Sequence, residues 1–312
     1  MGFYRTLQTQ IYQSWKSCPL STIGLEYFSR AETLLLKKLF QIPLITLMEI
    51  AMSTHLANSL SMSEILTKIK QTPNPTQDQA LIAQVCTYLK EHKQDYTPFD
   101  AKRWIQMMSD SQEIPLQGQT EYSLVKKYDV IKHPSLLVYL KDQNIPLNTA
   151  KQYLSELKVY HSTQKKHFFV LGFAHEKDGY VIRNPILSDW IGEPSISFIR
   201  GQKQNTDTIH IFQNCWDYLS LLAHLKGKDF QTDSLILNAD ECLPQVKAYL
   251  YQYGYRKAYT WLNNDKAGIK GTRQLGALFR QEQNIIHIAM NAFYQPFVNL
   301  SDWYTHQISI GQ

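Results

Sequence analysis

The chain has 312 residues, 44% of them hydrophobic, enough for one large or two ordinary domains with real cores. Its 32 Lys and Arg against 27 Asp and Glu leave a net charge of +5, too small an excess for a dedicated basic nucleic-acid binder. Four scattered cysteines, Cys18, Cys86, Cys215 and Cys242, form no CxxC pair, which argues against a zinc ribbon or a disulfide framework and fits a reducing cytoplasm.

The opening "MGFYRTLQTQIYQSWKS" lacks the apolar core and cleavage site of a signal peptide. The run "LFQIPLITLMEIAM", Leu39 to Met52, is interrupted by Gln41, Pro43 and Glu49 and falls short of the ~20 apolar residues of a membrane span. A cytoplasmic protein with no membrane partner is expected. "RAETLLLKKLF" and "SMSEILTKIK", the latter with Ser61 and Glu64 as a capping box, predict short packed helices. "QTPNPTQDQ", Gln71 to Gln79, reads as an exposed linker and "SDSQEIPLQGQT", Ser109 to Thr120, as a second break, with the helical "ALIAQVCTYLKEH" and "DAKRWIQMM" between them. Residues 1–120 are therefore expected to be a mostly helical region, loosely joined to the rest.

From Ser135, "SLLVYLKDQNIPLNTAKQYLSEL" predicts a helix, a break at "NIP" and a second helix capped by Asn148. "HFFVLGF" and "YVIRNP" predict a hairpin that turns at Asp178 and Gly179. Further on, "TIHIFQN", "DSLILN", "KAYTWLNN" and "NIIHIAM" are short apolar strands that alternate with "CWDYLSLLAHLKG", "ADECLPQVKAYLYQYG" and "DKAGIKGTRQLGALFRQ". That alternation predicts an α/β fold with a largely parallel, four-stranded sheet flanked by helices, in which ligands meet the carboxyl ends of the strands.

Two of those ends read "FQNCWD", with Gln213 and Asp217, and "WLNNDKAG", with Asn263, Asn264 and Asp265; "NLSD", Asn299 to Asp302, follows. Together with "YLKDQNIPLNTAKQYLSEL" and "HFFVLGFAHEKDGYVIRNP", their order and spacing from Ile131 onward resemble the primase-like Toprim proteins of Bacteroidetes plasmids and mobile elements. The resemblance implies a Toprim-like sheet over residues 206–312, a helix-hairpin segment over 121–205, and a setting in DNA replication. In that family an acid ends the first strand, a pair of aspartates after the third holds Mg²⁺, and an Asp-Leu-Asn-Asp follows. The matching positions here are Gln213, the pair Asn263 and Asp265, and Asn299 with Asp302, so three expected carboxylates are amides.

Mg²⁺ keeps several waters and relies on anionic carboxylates, which amides do not replace. The resemblance therefore implies degenerate catalytic positions at Gln213, Asp217, Asn263 and Asp265, weak metal ligation at best by Asp265 and Asp302, and no resident cofactor. Mg²⁺ re-enters only for a divergent enzyme. The amino-terminal zinc module that such primases usually bear is expected to be either replaced by helices or decayed beyond recognition, since the first third of this chain lacks paired cysteines.

Arg183, Arg200 and Lys203, interleaved with Phe168, Phe169, Tyr180 and Phe198, and Lys266, Lys270 and Arg273 after Asp265 are candidate contacts to single-stranded DNA or RNA. Bases stack on aromatic rings and phosphates pair with cations, although a solvated helix face gives the same spacing. Cys215, at a helix start, is the thiol best placed for a lowered pKa. Three functions stay open. One is a non-catalytic nucleic-acid-binding protein with a replication or mobilisation partner. The second is a Mg²⁺-dependent primase or nuclease using Asp217, Asp265 and Asp302. The third is a protein-interaction module of a mobile element, docking through residues 1 to about 110.

Overall fold

The computed structural model describes residues 60–92, 97–110, 121–203, 206–226, 231–250, 253–282 and 285–310. The expected helix "RAETLLLKKLF" and most of the break at 109–120 lie outside the described residues. Contacts divide the chain after Ser61, and the elements described below belong to the unit Met62–Gln312. Among the described residues no helix is long and apolar enough to cross a membrane.

Helices α1 (Met62–Gln71), α2 (Gln79–His92) and α3 (Pro98–Asp110) open the unit. Their apolar positions recur three and four residues apart, and Ile65, Ile69, Leu81, Val85, Leu89 and Trp104 are buried. The expected linker between Gln71 and Gln79 is a turn between these packed helices, closed by Asp78, whose Oδ1 accepts from Leu81 N at 2.9 Å. Nor are these helices loosely joined to the two sheets. Trp104 Nε1 donates to the Glu176 carbonyl at 3.0 Å, and Asp100 pairs with Arg200.

An antiparallel sheet comes next: β1 (Tyr122–Tyr128), then α4 (Pro134–Asp142) and α5 (Leu147–Tyr153), then β2 (Leu154–His161), β3 (Lys166–Ala174), β4 (Tyr180–Asn184) and β5 (Leu187–Ile191), paired in chain order. The expected hairpin is β3 and β4, and Asp178 takes the left-handed conformation in its turn, φ 54°. Two expectations need correction. "LSELKVYH" is strand β2, because it is paired on both sides by β1 and β3. Asn148 lies inside α5, whose N-cap is Pro146. The two edge strands, β1 and β5, come into contact, so the sheet curls around Tyr122, Leu157, Val159, Val170 and Ile182.

The second sheet holds β6 (Ser197–Ile199), β7 (Thr208–Phe212), β8 (Asp233–Ile236), β9 (Lys257–Trp261) and β10 (Ile286–Ala289) in the order β10-β9-β7-β8-β6. β10, β9, β7 and β8 run parallel and β6 runs antiparallel to β8, so the sheet has five strands where four were expected. Helices α6 (Cys215–His224), α7 (Val246–Leu250), α8 (Lys266–Gln281) and α9 (Leu300–Ile310) connect and cover them. Short 3₁₀ turns at Asp240–Gln245 and Asn291–Tyr294 precede α7 and α9. Phe212, Trp216, Leu219, Ile236 and Trp261 share one core with Leu136, Leu140, Leu154 and Phe173, which locks the two sheets together.

Candidate functional site at the strand ends

Strand order places the site. The chain leaves β7 through α6 toward β8 on one side and leaves β9 through α8 toward β10 on the other, so the winding reverses between β7 and β9. A crevice at such a reversal, outside the carboxyl ends of the strands, is where open α/β sheets bind ligands. Gln213 directly follows β7 and donates its backbone N–H to Trp261 O at 3.1 Å, while Asn263, Asn264 and Asp265 lie just past the end of β9. These predicted residues do come together.

Their side chains divide into two kinds. Gln213 Nε2 donates to Asp240 Oδ1 at 2.5 Å, and Asn238, just past β8, donates from Nδ2 to Ser195 O at 2.9 Å and Ser197 Oγ at 2.8 Å. A carboxylate and a backbone carbonyl only accept, so both amides are fixed with their oxygens turned the other way. Gln213 Oε1, Asn238 Oδ1 and Asn263 Oδ1 are buried and have no hydrogen-bond partner. Three adjacent strand ends thus each carry an unused, neutral oxygen acceptor.

The other amides are structural. Asn264 Nδ2 donates to Asn291 O and Phe297 O, and Asn291 Nδ2 donates to Leu262 O at 2.7 Å, stitching the segment after β10 over the end of β9. The Tyr294 hydroxyl donates to the same Leu262 carbonyl. Asn299 accepts from Asp302 N at 2.8 Å and donates to Asp302 Oδ2 at 2.8 Å. It therefore stands just before the first turn of α9 as a cap.

The surviving acids are also engaged. Asp265 caps α8 by accepting from Gly268 N at 2.8 Å. Asp217 is 1% exposed: Oδ2 accepts from Asn214 Nδ2 at 2.8 Å and Oδ1 from Ser301 N at 3.0 Å. Burial pushes its carboxyl up to about 7, against the opposing pull of the Ser301 N–H, and nearby Asp302 adds to the rise. Asp217 joins the first turns of α6 and α9 and does not reach the strand-end crevice with a free oxygen. Sequence reasoning missed Asp240, Asn238 and Asn291. The available signal for Asn238 was an "NAD" turn after a strand, and it adopts φ 66°.

Among the described residues, no three or more His, Cys, Asp or Glu side chains gather closely enough to hold a metal ion. With Gln213 and Asn263 neutral, Asp265 serving as a cap and Asp217 buried, this donor set does not fit Mg²⁺. Of the predicted cations, Arg183 lies over the Trp216 ring at 5.3 Å and Arg200 pairs with Asp100, so both serve internal packing. Lys203, Lys266, Lys270 and Arg273 are exposed, the last three along one face of α8. The Cys215 thiol is buried and pushed up to about 12 by that burial, which removes it as a nucleophile and corrects the expectation of a lowered value.

Residues 125–191 match a domain of unknown function (DUF8464). No curated protein matches the chain. Among solved structures, the crystal structure of the primase fragment of the bacteriophage T7 primase-helicase protein is similar, with 12% identity and a TM-score of 0.42, over 62% of this chain and 80% of that one.

Proposed function

We propose that this is a Toprim-like, primase-related protein that binds single-stranded nucleic acid at the carboxyl edge of its parallel sheet without a divalent metal. The reading is carried by the amide oxygens of Gln213 and Asn263, buried without partners at the point where the winding reverses, in positions where the resemblance calls for carboxylates. Neutral acceptors do not repel phosphates as carboxylates do, and Lys266, Lys270 and Arg273 on α8 supply the positive charge that a phosphate backbone needs.

The test is single-strand binding by the full chain with and without EDTA, run beside calorimetry with Mg²⁺ and Mn²⁺. EDTA-insensitive binding is expected, with metal binding appearing only in the Gln213→Glu/Asn263→Asp double variant. Asp240, a carboxylate whose Oδ1 accepts from Gln213 Nε2 at the end of β7, favours a second reading, a divergent Mg²⁺-dependent primase or nuclease. Metal-dependent primer synthesis or cleavage by the parent chain, lost in Asp265→Ala, would establish that reading instead.

A further inference from the structure

The antiparallel sheet has two unlike faces. Directly paired residues share a face, so the register sorts them. Leu157 and Val170 pair across β2 and β3, as do Val159 and Phe168, and all four turn inward to the small core. The opposite face carries the rows Tyr160 with His167, then Lys126 with Lys158 and Phe169, then Tyr128 with Glu156, Leu171 and Arg183. At the Arg183 end this outer face is covered by α4, which packs on β3 and β4, and by Trp216 of α6, whose ring lies under the Arg183 guanidinium. At the Tyr160 end it is not: Lys126 and His167 are exposed, and Tyr128, Lys158, Tyr160 and Phe169 are half-buried.

The uncovered part is aromatic and basic. The His133 ring stacks on Phe169 with centroids 4.4 Å apart, Tyr128 lies 6.0 Å from Phe169, and Tyr160 lies 5.2 Å from His167. Lys126 Nζ sits 4.9 Å from the Tyr128 ring and Lys132 Nζ 5.9 Å from it. The carboxylate in these rows, Glu156, is 1% exposed and accepts from the backbone N–H groups of Lys132 and His133 at 2.8 and 2.7 Å. Its oxygens are therefore engaged by backbone donors beneath the surface, and the charged side chains that these rows leave at the open surface are Lys126 and Lys158.

We infer that this outer face of β1, β2 and β3 is a stacking platform for single-stranded nucleic acid, with Tyr128 and Tyr160 taking bases and Lys126, Lys132 and Lys158 taking phosphates. Flat rings within reach of lysines on an open sheet suit unpaired bases, whereas a duplex hides its base faces and offers the lysines alone. Residues 125–191 thereby gain a role. The platform rests on the proposed nucleic-acid-binding reading, to which it adds a second surface.

The experiment titrates the full chain into fluorescent oligothymidylate and oligouridylate over a series of salt concentrations. On whichever polymer the parent binds, Tyr128→Ala and Tyr160→Ala are each expected to weaken binding about tenfold, and Tyr128→Phe to preserve it. Lys126→Ala/Lys158→Ala is expected to lower the salt slope by about 0.7 per lysine removed. Thermal melts matched to the parent confirm that each variant is folded. Parent-like binding by all of these variants, with binding lost in Lys266→Ala/Lys270→Ala/Arg273→Ala, would overturn the platform and leave the strand-end reading standing. A parent chain that binds neither polymer overturns both.

Discussion

At the scale of single residues, one device recurs at three helix starts. Thr97 and Asp100, Asn214 and Asp217, and Asn299 and Asp302 are each a polar cap with an aspartate three residues on, joined by reciprocal hydrogen bonds. An amide at position 299 is thus not an idle replacement for an acid, since its Oδ1 satisfies an N–H that α9 would otherwise leave unpaired. Asn299→Ala should cost about 1 kcal/mol in urea unfolding, as for other lost caps. Asp217 gives a pH signature. Its carboxyl titrates near 3.8 in an unfolded chain and about 7 when folded, so between those values the folded state binds the extra proton. Stability contributed by this group is therefore full below about 3.8 and is lost as pH rises to about 7. Asp217→Asn, which keeps an acceptor for Ser301 N, should flatten that part of the stability profile in melts from acid to neutral pH.

At the scale of elements, α8 depends on how closely its first turn meets the end of β9. A Cβ on Gly268 would stand 2.1 Å from Asn263 O and 2.6 Å from Asn263 N, both backbone atoms. Gly268→Ala must push the helix off the strand, at about 1–3 kcal/mol, and should lower the melting temperature and shift the amide resonances of Asn263. The parallel sheet was legible in the sequence because its strands are short apolar runs set between helices. The antiparallel one was largely not. β1, "YSLVKKY", is exposed along nearly its whole length and shows no alternation. β2 mimics a helix because Leu154 and Leu157 are three residues apart and a charged Glu156 sits between them, buried only because two distant backbone N–H groups satisfy it. The strand-end amides could be read directly, whereas Asp240 and Asn238 gain their roles from partners 27 to 43 residues away.

At the scale of the whole molecule, α3 is fastened to the β6 side of the parallel sheet by a buried charge cluster. Arg103, 3% exposed, has its guanidinium 4.5 Å from the Phe198 ring and 4.6 Å from those of Tyr249 and Tyr253, with Asp100 Oδ1 3.6 Å from Nη1. Asp100 thus balances two arginines, Arg103 and Arg200. Removing the acid strands both charges, so Asp100→Asn should cost about 3–5 kcal/mol. Arg103→Met keeps the packing among the rings and should cost far less; chemical denaturation of the two variants decides whether charge or shape holds α3 in place.

The curl of the antiparallel sheet also bears on how crowded molecules meet. An edge strand offers its unpaired N–H and C=O groups to any extended chain that comes alongside. With β1 drawn against β5, and with β10 and β6 at the rims of the other sheet only four and three residues long, the described residues offer a second copy little straight edge to extend. Short or mutually covered edges of this kind disfavour the strand-by-strand growth that ends in fibres.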